Sequence, residues 1–170
     1  TFSRFVGSPV GGYRDQLGLT SKDAIEIKDK WSVLGGKYVR LFESEFANKH
    51  NVDYAVSMNS ATSGITAAII AAGLKPGDEI ITTPISFTAT ATAIHLSGAK
   101  VKFVDINSQT LCMDYDLLKK KISKNTKAAI PVHLNGSAGE IRKISQLCKK
   151  NNIILIEDSA QALTCKINNK

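Results

Sequence analysis

The sequence predicts an α/β fold built on a mostly parallel sheet covered on both faces. Two observations carry that prediction. Apolar runs of five or six residues alternate with amphipathic helical stretches along the chain after residue 35, the order of repeated strand–helix units. The runs themselves, such as EIITT, AAIPV and IILIED, hold consecutive apolar residues rather than alternating with polar ones, as strands buried on both faces do.

Each element follows in order. Residues 1–34 are set apart as an irregular N-terminal segment, and the domain is expected over 35–170. KYVRLFESEFANKH (37–50) places Val39, Phe42 and Phe46 on one helical stripe. DYAVSM (53–58) reads as a short buried strand. From Ser60 onward, TSGITAAIIAAG is a helix of good formers closed by Gly73. KPGD (75–78) is a turn by its Pro-Gly pair. EIITT (79–83) is a strand, SFTATATAIHLSG (86–98) a helix ending at Gly98, and VKFVD (101–105) a strand. Asp114 caps a helix carrying Leu117, Leu118 and Ile122. AAIPV (128–132) is a strand, EIRKISQLCKK (140–150) a helix with Ile141, Ile144 and Leu147 on one face, and IILIED (153–158) a last strand.

Composition excludes several classes. The longest apolar stretch, Ala67 to Leu74, is too short to cross a bilayer, and the N-terminus lacks the apolar core of a secretory signal. No membrane association is expected. Cys112, Cys148 and Cys165 have no CxxC spacing, so no metal site is assigned and a reduced, cytoplasmic setting is expected. The formal charge is +7, and much of the excess lies in Lys119, Lys120, Lys121, Lys124 and Lys127, expected at the end of one helix and the turn after it. Such a run reads as a solvated helix face. Without interleaved aromatics or a nucleic-acid-binding motif, no nucleic-acid partner is expected.

Open α/β sheets bind ligands at the carboxyl ends of their strands. No GxGxxG follows a strand and no GxxxxGK[ST] exists, which disfavours dinucleotide and P-loop sites. Three strand ends stand out. Ser60, Ala61 and Thr62 lead directly into a helix, where outward N–H groups, hydroxyls and the positive end of the macrodipole make a phosphate cup; ordinary N-capping is the alternative. Phe87 lies near the start of its helix, able to stack on a planar ring or to serve as core. Asp158 ends a very apolar strand, where a carboxylate calls for a cationic partner or caps a following helix. Gln161, three residues on, can offer its amide to a neighbouring oxygen. A phosphate cup, a stacking ring and a buried Asp together describe a flat phosphorylated pyridine, pyridoxal 5′-phosphate (PLP), with Asp158 keeping the ring nitrogen protonated.

With those residues in place, the chain resembles the DegT/DnrJ/EryC1/StrS family of sugar aminotransferases, fold type I PLP enzymes. The likeness runs from about Gly35 to the end, through GGKYVRLFESEFANKHNVDYAVSMNSATSGITAAIIAAGLKPGDEIITTPISFTATATAIHLSGAKVKFVDI, AAIPVHLNG and IILIEDSAQA. It implies a three-layer sandwich, the aspartate aminotransferase-like large domain. It also implies that Ala61 and Thr62 bind the phosphate beside Ser60, Phe87 stacks on the ring, Asp158 pairs with the ring nitrogen and Gln161 meets the 3′-oxygen. The implied reaction transfers an amino group from an amino acid, glutamate or glutamine, to a nucleotide-linked keto-sugar, in a homodimer of nucleotide-sugar or polysaccharide biosynthesis. Ala61 stands where the family usually has Gly, and Leu163-Thr164 where a Gly is usual.

The resemblance also places the Schiff-base Lys beyond Lys170, so no catalytic residue is assigned here. Lys166 and Lys170, in TCKINNK, read as solvated surface lysines. The chain is expected to be an N-terminal portion of the parent, without the small C-terminal domain and inactive by itself. Alternatives are a PLP-dependent sugar dehydratase of the same fold, with His in place of that Lys, or a non-catalytic fragment or binding module.

Overall fold

A computed structural model of the chain describes residues 36–163 and 165–166; the N-terminal segment 1–34 lies outside them. Helix α1 (Lys37–His50) is followed by α2 (Ala61–Ala71), β1 (Glu79–Thr82), α3 (Ala89–Leu96), β2 (Lys100–Phe103), α4 (Tyr115–Lys121), β3 (Thr126–Ala129), a 3₁₀ turn (Leu134–Gly136), α5 (Ile141–Lys150) and β4 (Ile154–Leu155). The four strands pair in the order β2-β1-β3-β4, and every pair is parallel.

The period of two along each strand divides the core. Ile80, Ala128, Ile130 and Ile156 pack with Ile65, Ala68 and Ile69 of α2 and with Ala93 and Ile94 of α3. Ile81, Ala129 and Ile153 pack on the other side, with Leu118 of α4 and Ile141, Ile144, Leu147 and Cys148 of α5. Helices α2 and α3 therefore cover one face and α4 and α5 the other, the expected three layers.

The helix ends obey local chemistry. The Ser63 N–H donates to Ser60 Oγ (3.2 Å) at the start of α2, and the Leu117 N–H to Asp114 Oδ1 (2.8 Å) at the start of α4. Past the end of α2, Gly73 turns the chain with φ 72, a left-handed conformation that suits a residue without Cβ. Lys119, Lys120 and Lys121 lie in the last turn of α4, where the negative end of the macrodipole favours them.

Several boundaries differ from the sequence reading. Residues 53–58 form no strand: they join no β-ladder among the described residues, and Tyr54 and Val56 are 78% and 67% exposed. Apolar character made the segment read as buried; without a partner strand it has no ladder to join. The third helix begins at Ala89 rather than Ser86, leaving Phe87 in the loop before it. The second strand is Lys100–Phe103, not 101–105, and the third begins two residues early, at Thr126. A bulge opposite Glu79–Ile80 puts Lys127 outside the paired register and exposed, on β3 rather than in the turn after α4. The β3 ladder fades at Pro131, which has no N–H to give. Strand β4 is reduced to two residues plus an isolated parallel bridge between Val132 and Asp158.

Candidate functional site

Because the sheet is parallel, the segments after β1, β3 and β4 all emerge at the same end. There the backbone crosses from β4 to the β3 exit: the Asp158 N–H donates to the Pro131 carbonyl (3.0 Å) and the His133 N–H to the Asp158 carbonyl (3.0 Å). The alternation that sends Ile154 and Ile156 toward α2 and α3 sends Asp158 the same way. Its side chain meets α3: Thr90 Oγ1 donates to Asp158 Oδ2 at 2.6 Å. Oδ1 accepts the Ala160 N–H at 3.2 Å, so Asp158 caps the turn that follows rather than a helix.

Asp158 is 6% exposed, and Thr90 is 1% exposed. Both donors to the carboxylate are neutral, and no described Lys, Arg or His forms an ion pair with it. A buried carboxylate with neutral donors and no cation is a fitting partner for a protonated ring nitrogen. Glu157, one residue earlier, faces the other way and pairs with His133, Oε2 to Nε2 at 2.8 Å. Two adjacent acids at one strand end thus have separate surroundings.

Gln161 is tied to the turn after β3, its Oε1 accepting the Asn135 N–H at 2.9 Å. Asn135 and Gly136 both hold positive φ, 52 and 81, and this reversal aims the Asn135 N–H. With its oxygen occupied, Gln161 keeps its NH₂ end as a donor for an acceptor oxygen.

At the start of α2, Ser60 acts as the cap: its Oγ accepts from Ser63 N and also meets Ser63 Oγ (3.1 Å). The N–H groups of Ala61 and Thr62 and the Thr62 hydroxyl take no hydrogen-bond partner among the described residues. Ser60 therefore serves as the helix cap, and the donors of Ala61 and Thr62 stay open at the positive end of the helix. Phe87 is 75% exposed, so the reading of it as core does not hold, and its ring face is open to stacking.

Hydrogen bonds link Asp158 to α3 and Gln161 to the turn after β3. Phe87 precedes the helix whose Thr90 holds Asp158, and Gln161 is bound to the turn that begins at His133, itself bonded to the Asp158 backbone. Ser60, Ala61 and Thr62 stand on the neighbouring helix of the same layer, without a hydrogen bond to Asp158 or Gln161. Ser86 and Asn135 lie in the segments that follow β1 and β3, where Asn135 makes a loop hydrogen bond to Gln161, whereas Thr90 lies inside a helix and does not stand out in the sequence. The signal available for Thr90 was a hydroxyl in an Ala/Thr helix whose neighbours Ala93 and Ile94 belong to the core face. Among the described residues, no group of three or more His, Cys, Asp or Glu side chains is placed to hold a metal, and no helix is long and apolar enough to cross a membrane.

Comparison with known proteins bears on the family and the fold. Residues 20–170 match the profile of the DegT/DnrJ/EryC1/StrS aminotransferase family. The chain is 33% identical over 159 residues to GDP-perosamine synthase of Escherichia coli O157:H7, covering 91% of this chain and 44% of that protein. It is 37% identical over 155 residues to dTDP-4-dehydro-2,3,6-trideoxy-D-glucose 4-aminotransferase of Saccharopolyspora spinosa, covering 89% and 40%. The solved structure of E. coli GDP-4-keto-6-deoxy-D-mannose-3-dehydratase with bound hydrated PLP superposes with a TM-score of 0.78 at 31% identity, covering 86% of this chain and 39% of that one. The chain thus spans well under half the length of these relatives.

Proposed function

The chain belongs to the DegT/DnrJ/EryC1/StrS aminotransferase family, and from that premise we propose that it forms the PLP-binding part of an enzyme transferring an amino group from glutamate or glutamine to a nucleotide-linked keto-sugar. The observation that carries this reading is the buried Asp158 carboxylate, held by two neutral donors and lacking a cationic partner among the described residues. Bound PLP supplies an electron sink for the pair released at a substrate carbon. The residues of this chain bind and orient it. The N–H groups of Ala61 and Thr62 and the Thr62 hydroxyl hold the phosphate, with the α2 macrodipole behind them. Ser60 shapes that cup by capping the helix. Phe87 covers one face of the ring, Asp158 keeps the ring nitrogen protonated, and the Gln161 NH₂ group donates to the 3′-oxygen.

The nucleotide sugars in the names of two relatives support the acceptor class. The reading includes a homodimer, and Ile70 of α2 and Leu96 of α3, at 64% and 67% exposure, offer apolar surface consistent with it. A sugar dehydratase is the second reading, favoured by the likeness to the E. coli 3-dehydratase. Incubating the full-length protein with PLP, ¹⁵N-glutamate and a panel of nucleotide-linked 4-keto-sugars tests both. The aminotransferase reading expects ¹⁵N in the sugar and 2-oxoglutarate in equal amount. Loss of a sugar hydroxyl without incorporation of ¹⁵N would select the dehydratase instead.

A further inference from the structure

We propose that Thr90 is a positioning residue for the cofactor ring, acting through Asp158, and that Ser86 orients Thr90. This inference rests on the PLP reading and deepens it. The Thr90 hydroxyl has a single proton, which goes to Asp158 Oδ2 across 2.6 Å. In the remaining contact of that hydroxyl, Ser86 Oγ lies 3.2 Å away. An ionised Asp158 accepts and cannot donate, so the direction of both bonds follows: Ser86 donates to Thr90, and Thr90 donates to Asp158.

The consequence is geometric. Asp158 lies three residues past the two-residue β4, on an isolated bridge to Val132, and its carboxylate is otherwise fixed only by the longer bond from the Ala160 N–H to Oδ1, 3.2 Å. The short Thr90 bond at the second oxygen sets the plane of the group and leaves a lone pair on each oxygen for another donor. Thr90 is the second residue of α3 and Phe87 lies three residues earlier, in the loop before it, so one segment supplies both the stacking ring and the hydroxyl that aims the counter-charge. The ring is thereby located from its face and from its nitrogen by a common support.

The test measures binding of pyridoxamine 5′-phosphate (PMP) to the full-length protein, with absorbance reporting the protonation of the bound ring nitrogen and inorganic phosphate as competitor. Thr90→Val is expected to weaken PMP binding on the order of tenfold and to move loss of the ring-nitrogen proton to lower pH, with the affinity for inorganic phosphate unchanged. Thr90→Ser is expected to keep both properties of the wild type, and Ser86→Ala to shift the ring titration in the same direction as Thr90→Val but less. Equal weakening of phosphate and PMP would mean a structural lesion and overturns the inference. So would a wild-type PMP titration in Thr90→Val while Asp158→Asn loses PMP. If Asp158→Asn also binds PMP normally, or the wild type binds none, the PLP reading itself fails. Should Thr90→Val not fold, Thr90→Cys, close in size and a weak donor, takes its place with the same outcomes.

Discussion

His133 and Glu157 meet at 2.8 Å, Nε2 to Oε2, on the side of the sheet away from Thr90. The contact joins the exit of β3 to the exit of β4 on one face, while on the other the Thr90–Asp158 bond ties the β4 exit to α3. His133 is 5% exposed. Replacing it with Ala removes a buried partner of Glu157 and is expected to cost about 1–3 kcal/mol of stability, measured by urea denaturation. PMP affinity should stay at the wild-type value, because the backbone bond to Asp158 remains.

Asp158→Asn keeps the size of the side chain but not its charge, and its single carbonyl oxygen can accept from Thr90 or from Ala160, not from both. Turnover of the full-length protein is expected to fall on the order of tenfold to a hundredfold, the worth of a charge-assisted bond, while stability falls by only about 1 kcal/mol for the one accepted bond that is lost. Steady-state kinetics and a denaturation curve on the same preparation check it; wild-type turnover would refute the role given to the carboxylate.

Phe87→Ala should weaken PMP binding on the order of tenfold through the loss of stacking. Thermal stability should hold, since the ring is 75% exposed and contributes little to the core. Phe87→Tyr should restore binding. A fluorescence titration with each variant separates stacking from packing.

Glu79 sits at the opposite end of the sheet, where it accepts from Lys102 Nζ at 2.7 Å and from Ser123 Oγ at 3.2 Å. The Lys102 bond holds its carboxyl below the ordinary value of 4.5. A carboxyl lowered in the folded state stabilises the fold above its unfolded value, and that contribution is lost as pH falls through the folded value. Urea midpoints should therefore drop more steeply below pH 4.5 for the wild type than for Glu79→Gln.

Burial pushes the Cys148 thiol up to about 11, so it stays protonated and shielded at neutral pH. Cys112 is also buried, its Sγ donating to the Ser137 carbonyl at 3.2 Å. Cys165 is exposed. Iodoacetamide on the native protein should label Cys165 first, with Cys112 and Cys148 reacting only after unfolding, as mass spectrometry of the digest would report.

Runs such as AAIPV and IILIED made the layers legible, because continuous apolar strands can only lie between two covering layers. Pattern alone could not set strand limits. The ladder after Ala129 depends on Pro131, and the bulge at Lys127 depends on which residue faces Glu79 across the sheet. DYAVSM misled for the same reason: a strand is a property of pairing, and pairing is not written in one segment. In the candidate site, Asp158, Phe87 and Thr62 were visible as residue types at strand ends. Thr90 and the Asn135 N–H were not, because one is brought in by a helix distant in sequence and the other is a backbone group aimed by a left-handed turn.

The neighbouring acids at positions 157 and 158 make the last strand intolerant of insertion or deletion. Lengthening 153–156 by one residue would put the longer glutamate opposite Thr90, and shortening it by one would put the aspartate opposite the imidazole. Isoleucine, valine and leucine can replace one another there at modest cost. Relatives that diverge freely in the composition of this stretch are therefore expected to preserve its length.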